Sequence, residues 1–248
     1  MPVGIDVLLI YSAIFFFAAL IHGSVGIGFP IIATPLLALM TDIQTAILLT
    51  LIPTLLVNVV SILSEGSFIR AIRQWYSLVF ISAAGSLIGT LILINNQSEF
   101  FKLLLAATIL TYLYANNRKI SISWFHRYPR LAKLGFGLAA GLVGGMTNVM
   151  GPVLVIYLLE ERRSRSEIFQ AANLCFLSGK LIQLVTFSLH QKMSSHELMI
   201  SIPVLLIVSL ALYIAVRLKK RISQEQHFRL LKGFLFLLAM LLCGQALI

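Results

Sequence analysis

Lys180 lies in the middle of an apolar run from Ile168 to Leu189, IFQAANLCFLSGKLIQLVTFSL. At 1.5 Å per helical residue its ammonium sits roughly 14–18 Å from either end of the run, too deep for easy snorkelling. A charge at mid-bilayer costs at least about 3 kcal/mol, and a chain that keeps one usually uses it. The chemistry on offer is electrostatic: a fixed cation inside a membrane can hold an anion. Two neutral polar residues share its face of the helix, Asn173 seven positions before it and Gln183 three after it. An earlier apolar run carries Thr50 and Asn58 in the same manner, with Pro53 between them.

A second set of candidates sits at two glycine-rich interruptions, HGSVGIGFP (22–30) and GGMTNVMGP (144–152). Each interruption is followed by a proline suited to the first turn of a new helix: Pro30 or Pro35 in one case, Pro152 in the other. Free N–H groups at a helix start carry the positive end of the helix dipole and bind anions readily. Gly26, Gly28 and Gly151 allow close approach to the backbone. Ser24, Thr34, Thr147 and Asn148 add neutral donors. The expected substrate site therefore comprises Ser24, Gly26, Gly28, Pro30, Thr34, Pro35, Thr50, Asn58, Thr147, Asn148, Gly151, Pro152, Asn173, Lys180 and Gln183. His22, beside the first interruption, is the candidate for carrying a proton. Gly85–Gly89 and Gly137–Gly141 have the small-xxx-small spacing of helix packing instead.

No Asp or Glu is expected at mid-membrane: Asp6, Asp42, Glu65, Glu99 and Glu197 all flank apolar runs. A cation carrier would want a carboxylate there, and a proton-coupled carrier often uses one. An integral membrane lipid enzyme would need clustered acid–base or metal ligands, and the runs contain no DDxxD, HxxxxD or HExxH. No catalytic residue, metal or cofactor is expected. Cys175 and Cys243 lie in apolar runs with no ligand spacing and read as small packing residues.

These residues must be held by a membrane-embedded scaffold. The 248 residues are 59% hydrophobic and only 11% charged, against about 25% charged in soluble domains. Eight apolar blocks, at 7–40, 44–64, 75–94, 100–116, 134–159, 167–189, 197–216 and 230–248, define an all-α polytopic membrane protein. The stretch before the first block has no Lys or Arg and so is unlike a cleaved signal peptide. Of 19 Lys and Arg, 16 fall in four segments: 65–74, 117–133, 160–167 and 217–232. Only Lys102 and Lys192 fall on the other side, and Lys180 lies within. The positive-inside rule makes the 16 cytoplasmic, so the net charge of +10 signals topology rather than nucleic-acid binding.

The two interrupted blocks must then enter and leave on one side each, as re-entrant hairpins. The first has arms of about 16 and 10 residues and turns within the membrane, with the two tips meeting in the interior. Gly23-Ser24-Val25-Gly26 matches Gly141-Leu142-Val143-Gly144, and Pro35-Leu36-Leu37 matches Pro152-Val153-Leu154. Ala46–Pro53 then falls on Phe169–Phe176, pairing Thr50 with Asn173. The chain reads as a duplicated unit of about 115–120 residues: a first repeat at 1–116, a cytoplasmic linker at 117–133 and a second repeat at 134–248. Each repeat is a broken, re-entrant helical hairpin plus three transmembrane helices. An odd number of crossings makes the repeats inverted and places both termini outside.

On these residues the chain resembles the sulfite exporter TauE/SafE family. The likeness is carried by HGSVGIGFPIIATPLL, its echo GLVGGMTNVMGPVL, the following helices AILLTLIP and AANLCFLSGK, and the length near 250, so it spans essentially the whole chain. The second interruption departs from a fuller triple-glycine pattern, with Gly144-Gly145 followed by Met146-Thr147-Asn148. The resemblance implies a secondary transporter or facilitator for a small anion such as sulfite, a sulfonate or a related organosulfur oxyanion. It implies export across a bacterial cytoplasmic (inner) membrane, with proton-coupled import as the alternative. The implied partners are the small anionic solute and the lipid bilayer. The oligomeric state, a homodimer included, is left open.

Overall fold

A computed structural model describes residues 5–26, 28–96, 99–117, 123–161, 163–193, 195–218 and 224–246. Among them are eleven helices and no strand: α1 (Ile5–Val25), α2 (Phe29–Ala38), α3 (Ile43–Glu65), α4 (Phe68–Asn95), α5 (Phe100–Asn117), α6 (Ser123–Arg127), α7 (Pro129–Thr147), α8 (Gly151–Glu160), α9 (Arg165–Leu189), α10 (Ser195–Leu218) and α11 (Gln224–Ala246). By length and composition four spans can cross a bilayer unaided: Asp6–Ser24, Ile43–Glu65, Phe68–Asn95 and Ser166–Leu189. Large apolar side chains lie on the outside of the bundle, Phe80 at 72%, Leu206 at 75% and Leu189 at 77% exposure. That surface suits lipid, which solvates apolar side chains as readily as a protein core does.

Local chemistry sets the helix ends. Asp42 caps α3 by accepting the Thr45 N–H, and Gly66, at φ 145°, ends it. Ser164 and Glu167 form a reciprocal capping box at the start of α9. Three helices begin earlier than their apolar runs. Arg70 and Arg73, expected in a loop, ride on the first turns of α4, Lys133 lies on α7, and Arg229 and Lys232 lie on α11. Long basic side chains can reach water from a helix end, so a basic residue need not mark a helix boundary. Arg118, Lys119, Arg162, Lys219, Lys220 and Arg221, from the same basic segments, lie outside the described residues.

Packing follows a reciprocal scheme. Helix α4 packs on α7 and α9, while α10 packs on α1 and α3. Helix α5 meets α8, while α11 meets α2; α3 packs on α9 and α5 on α11. The α4–α7 seam is the closest. A methyl at Gly85 or Gly89 would run into the backbone of α7, and one at Gly141 or Gly145 into the backbone of α4. Backbones can approach this closely only across small residues, and dispersion between them replaces the hydrophobic drive that lipid removes. The packing role expected of Gly85–Gly89 and Gly137–Gly141 is the one these glycines have.

The first hairpin differs from expectation in its arms. Helix α1 has 21 residues rather than about 16, and α2 has 10. At roughly 31 and 15 Å, a helix of near-full membrane length is joined to a half-length one. Helices α7 and α8 repeat the pattern with 19 and 10 residues.

Candidate functional site

The two breaks are built differently. At the first, Gly26 and Gly28 take φ of 93° and 137°, a region that favours glycine. At the second, Asn148 adopts the left-handed conformation (φ 69°) that ends α7, which Asn tolerates better than most residues. Pro30 and Pro152 occupy the first turns of α2 and α8. Pro30 and Pro152 thus hold like positions, and Pro35 sits inside α2, where it starts no helix.

With Pro30 set on Pro152, the same separation divides the caps Asp42 and Ser164, the break residues Gly26 and Asn148, and Asn58 and Lys180. Thr50 then falls one residue away from the counterpart of Asn173. On that separation Asn58 stands in α3 where Lys180 stands in α9.

Helix α9 ties the breaks together. Asn173 donates from Nδ2 to the Gly26 carbonyl at 3.0 Å, which fixes the first break. Lys180, 2% exposed, donates to Asn148 Oδ1 at the second break and to Gln183 Oε1. Asn148 spends its two amide hydrogens on Thr34 Oγ1 at 2.6 Å and Thr50 Oγ1 at 2.7 Å. Gln183 donates to the Gly145 carbonyl at 3.0 Å. One asparagine in a broken helix thus joins α2, α3 and α9. Both acceptors of Lys180 are neutral amide oxygens, so its charge meets no carboxylate among these contacts.

The tips do not meet at one depth. Their contacts on α9 are seven residues apart, about 10 Å, so the long arms pass beyond each other. They still share a wall: Gly28 and Pro30 from one break, and Asn148 and Gly151 from the other, line a cavity of about 20 Å³ with Tyr112 and Phe176. That volume holds about one water molecule, so the site is closed around its polar groups.

Some expected donors are committed elsewhere. The Ser24 and Thr147 hydroxyls bond back to Leu20 and Val143 within their own helices. Thr34 serves Asn148 as an acceptor. His22 is fully buried; its Nδ1 accepts the Phe29 N–H at the start of α2, and its Nε2 lies 2.8 Å from Ser61 Oγ. One N–H of the first helix start is thus already capped by an imidazole.

Three buried polar atoms near the first break have no hydrogen-bond partner: Nδ2 and Oδ1 of Asn58, and Oδ1 of Asn173. Ser61 was not anticipated. Its signal lay in the spacing of Thr50, Thr54, Asn58 and Ser61, which lines one face of α3 with polar groups through about three turns.

An all-helical, lipid-faced bundle with broken hairpins around an enclosed cation is a membrane transporter's architecture. The family model for sulfite exporter TauE/SafE matches residues 11–242, nearly the whole chain, and the chain belongs to that family. It is a multi-pass membrane transporter and not an enzyme. No curated protein and no solved structure matches the chain.

Proposed function

We propose that this transporter exports a small oxyanion, namely sulfite, a sulfonate or a related organosulfur anion, across the bacterial inner membrane. The observation that carries the reading is Lys180: a buried cation whose hydrogen-bond partners are neutral amides, placed where α9 touches a helix break. An anion arriving there gains the countercharge that the protein withholds. The unpartnered Nδ2 of Asn58 would donate a further hydrogen bond to it. Each negative charge leaving a cytoplasm held at about −100 mV gains about 2.3 kcal/mol, so export needs no coupled ion.

The reciprocal packing of α4 with α7 and α10 with α1, and of α5 with α8 and α11 with α2, supports two inverted repeats related by an axis in the membrane plane. With the 16 basic residues cytoplasmic, both termini are outside.

Sulfite flux into proteoliposomes tests the reading. Wild-type protein should pass sulfite and be stabilised by it against heat, through mass action on the folded state. Lys180→Met should fold and lose both effects. Undiminished flux through folded Lys180→Met would remove the lysine from the mechanism.

A second reading, proton-coupled import, rests on His22. Protonating Nδ1 would break its bond to the Phe29 N–H and uncap α2, joining proton uptake to movement of the first break. Electroneutral flux that vanishes when a pH gradient is collapsed would favour it over the uniporter.

A further inference from the structure

Lys102 and Lys192 are the two basic residues that the charge pattern leaves on the side opposite the other 16. The fold brings both to one polar recess of about 570 Å³ at the start of α3. A recess of this size is within the range of small-molecule sites. Two carboxylates share it, and both are engaged. Asp42 accepts the Thr45 N–H at 3.0 Å and also the Thr45 hydroxyl, at the positive end of α3. Glu99 pairs with Lys102 at 3.1 Å. Lys192 has no ion pair among the described residues, and so is the lysine of the recess left to meet a solute.

The recess also reaches inward. Leu48 and Leu93 line it and are nearly buried, at 6% and 1% exposure. Leu48 stands two residues, about 3 Å, before Thr50, which holds Asn148. Leu93 stands three residues, about 4.5 Å, beyond Thr90, which borders Gly145, the carbonyl partner of Gln183. The floor is therefore within about one helical turn of the depth of the Lys180 cluster, with apolar side chains closing it.

We propose that this recess is an anion-accepting outer subsite of the transport path, with Lys192 as its attracting charge and Leu48 and Leu93 as the apolar plug above the central cluster. The proposal rests on the anion-transport reading above. An oxyanion released outward would pause on Lys192, and one arriving from outside would be drawn to it. The plug keeps the two positions from forming a continuous polar leak.

The test uses full-length protein in liposomes with sulfite as the probe. Lys192→Gln should raise the external half-saturation concentration about fivefold at low salt, the size of a partly exposed charge–charge attraction. It should leave maximal flux within about twofold, and Lys192→Arg should behave as wild type. The fivefold effect should shrink toward one at high ionic strength, because screening acts on an open recess. A merely structural role for Lys192 would not produce that salt dependence. Leu48→Ala with Leu93→Ala should raise passive sulfite leak. Unchanged half-saturation and salt response in Lys192→Gln, in a protein that still carries sulfite through Lys180, overturns the subsite alone. Failure of wild-type protein to carry sulfite overturns the underlying function instead.

Discussion

Asn58 is the residue at which folding and transport make opposite demands. An amide with both ends buried and unpartnered costs about 1–3 kcal/mol per unsatisfied group. Asn58→Leu should therefore raise the melting temperature of the detergent-solubilised protein, and the same change should diminish the stabilisation conferred by sulfite. A thermal-shift titration reads both effects, and a stabilised variant with an unaltered sulfite response would take Asn58 out of the site. Lys180→Met has a closer balance. It removes a charge costing at least about 3 kcal/mol but strands the amide oxygens of Asn148 and Gln183, so its melting temperature should stay within a few degrees of wild type. Lys180 was legible in the sequence because a lone charge in an apolar run is expensive. The equal spacing that sets it against Asn58 was not, because Pro35 offered a second anchor for the repeat and an asparagine among leucines carries little cost to notice.

At the scale of elements, the breaks and seams make distinct predictions. Gly26→Ala would place a methyl against the Phe169 ring on a backbone at φ 93°, costing about 1–2 kcal/mol from the backbone alone. It should depress sulfite flux more than it depresses the yield of folded protein, since Gly26 holds the first break to Asn173. Gly141→Ala should do the reverse. Its methyl would meet the Ser82 carbonyl, and overpacking of that kind costs about 1–3 kcal/mol, so folded yield in detergent should fall first. Helix existence was readable from apolar run length, and the hairpin breaks from clustered glycines followed by proline. The starts of α4, α7 and α11 were not, because helical backbone satisfies its own hydrogen bonds whether or not its side chains are apolar. The passing of the two tips was hidden for a related reason: tip depth depends on arm length, and Arg130 and Lys133 concealed where α7 begins.

For the whole molecule, the charge asymmetry predicts sidedness. Reporter fusions at Arg127 and Ser164 should report cytoplasm, and fusions at Asp42 and Gln191 the opposite face. A cytoplasmic N-terminus would mean that the first hairpin crosses only once and would remove the inverted repeat. At this level the sequence speaks through loop charges, while the reciprocal packing of the helices emerges only when distant helices are seen side by side.

The α4–α7 seam sets backbone against backbone along Gly85, Gly89, Gly141 and Gly145. The reciprocal α1–α10 seam meets through side chains instead, a methyl on Gly23 lying 2.6 Å from the Ala215 Cβ. In the language of machines, the first seam is suited to be a stator and the second a bearing. Interlocked backbones cannot slide without separating, whereas side chains can exchange rotamers as one helix shears past another. A disulfide bridging Ile81→Cys and Gly137→Cys should therefore leave sulfite flux largely intact in proteoliposomes, and one bridging Gly23→Cys and Ala215→Cys should stop it until it is reduced.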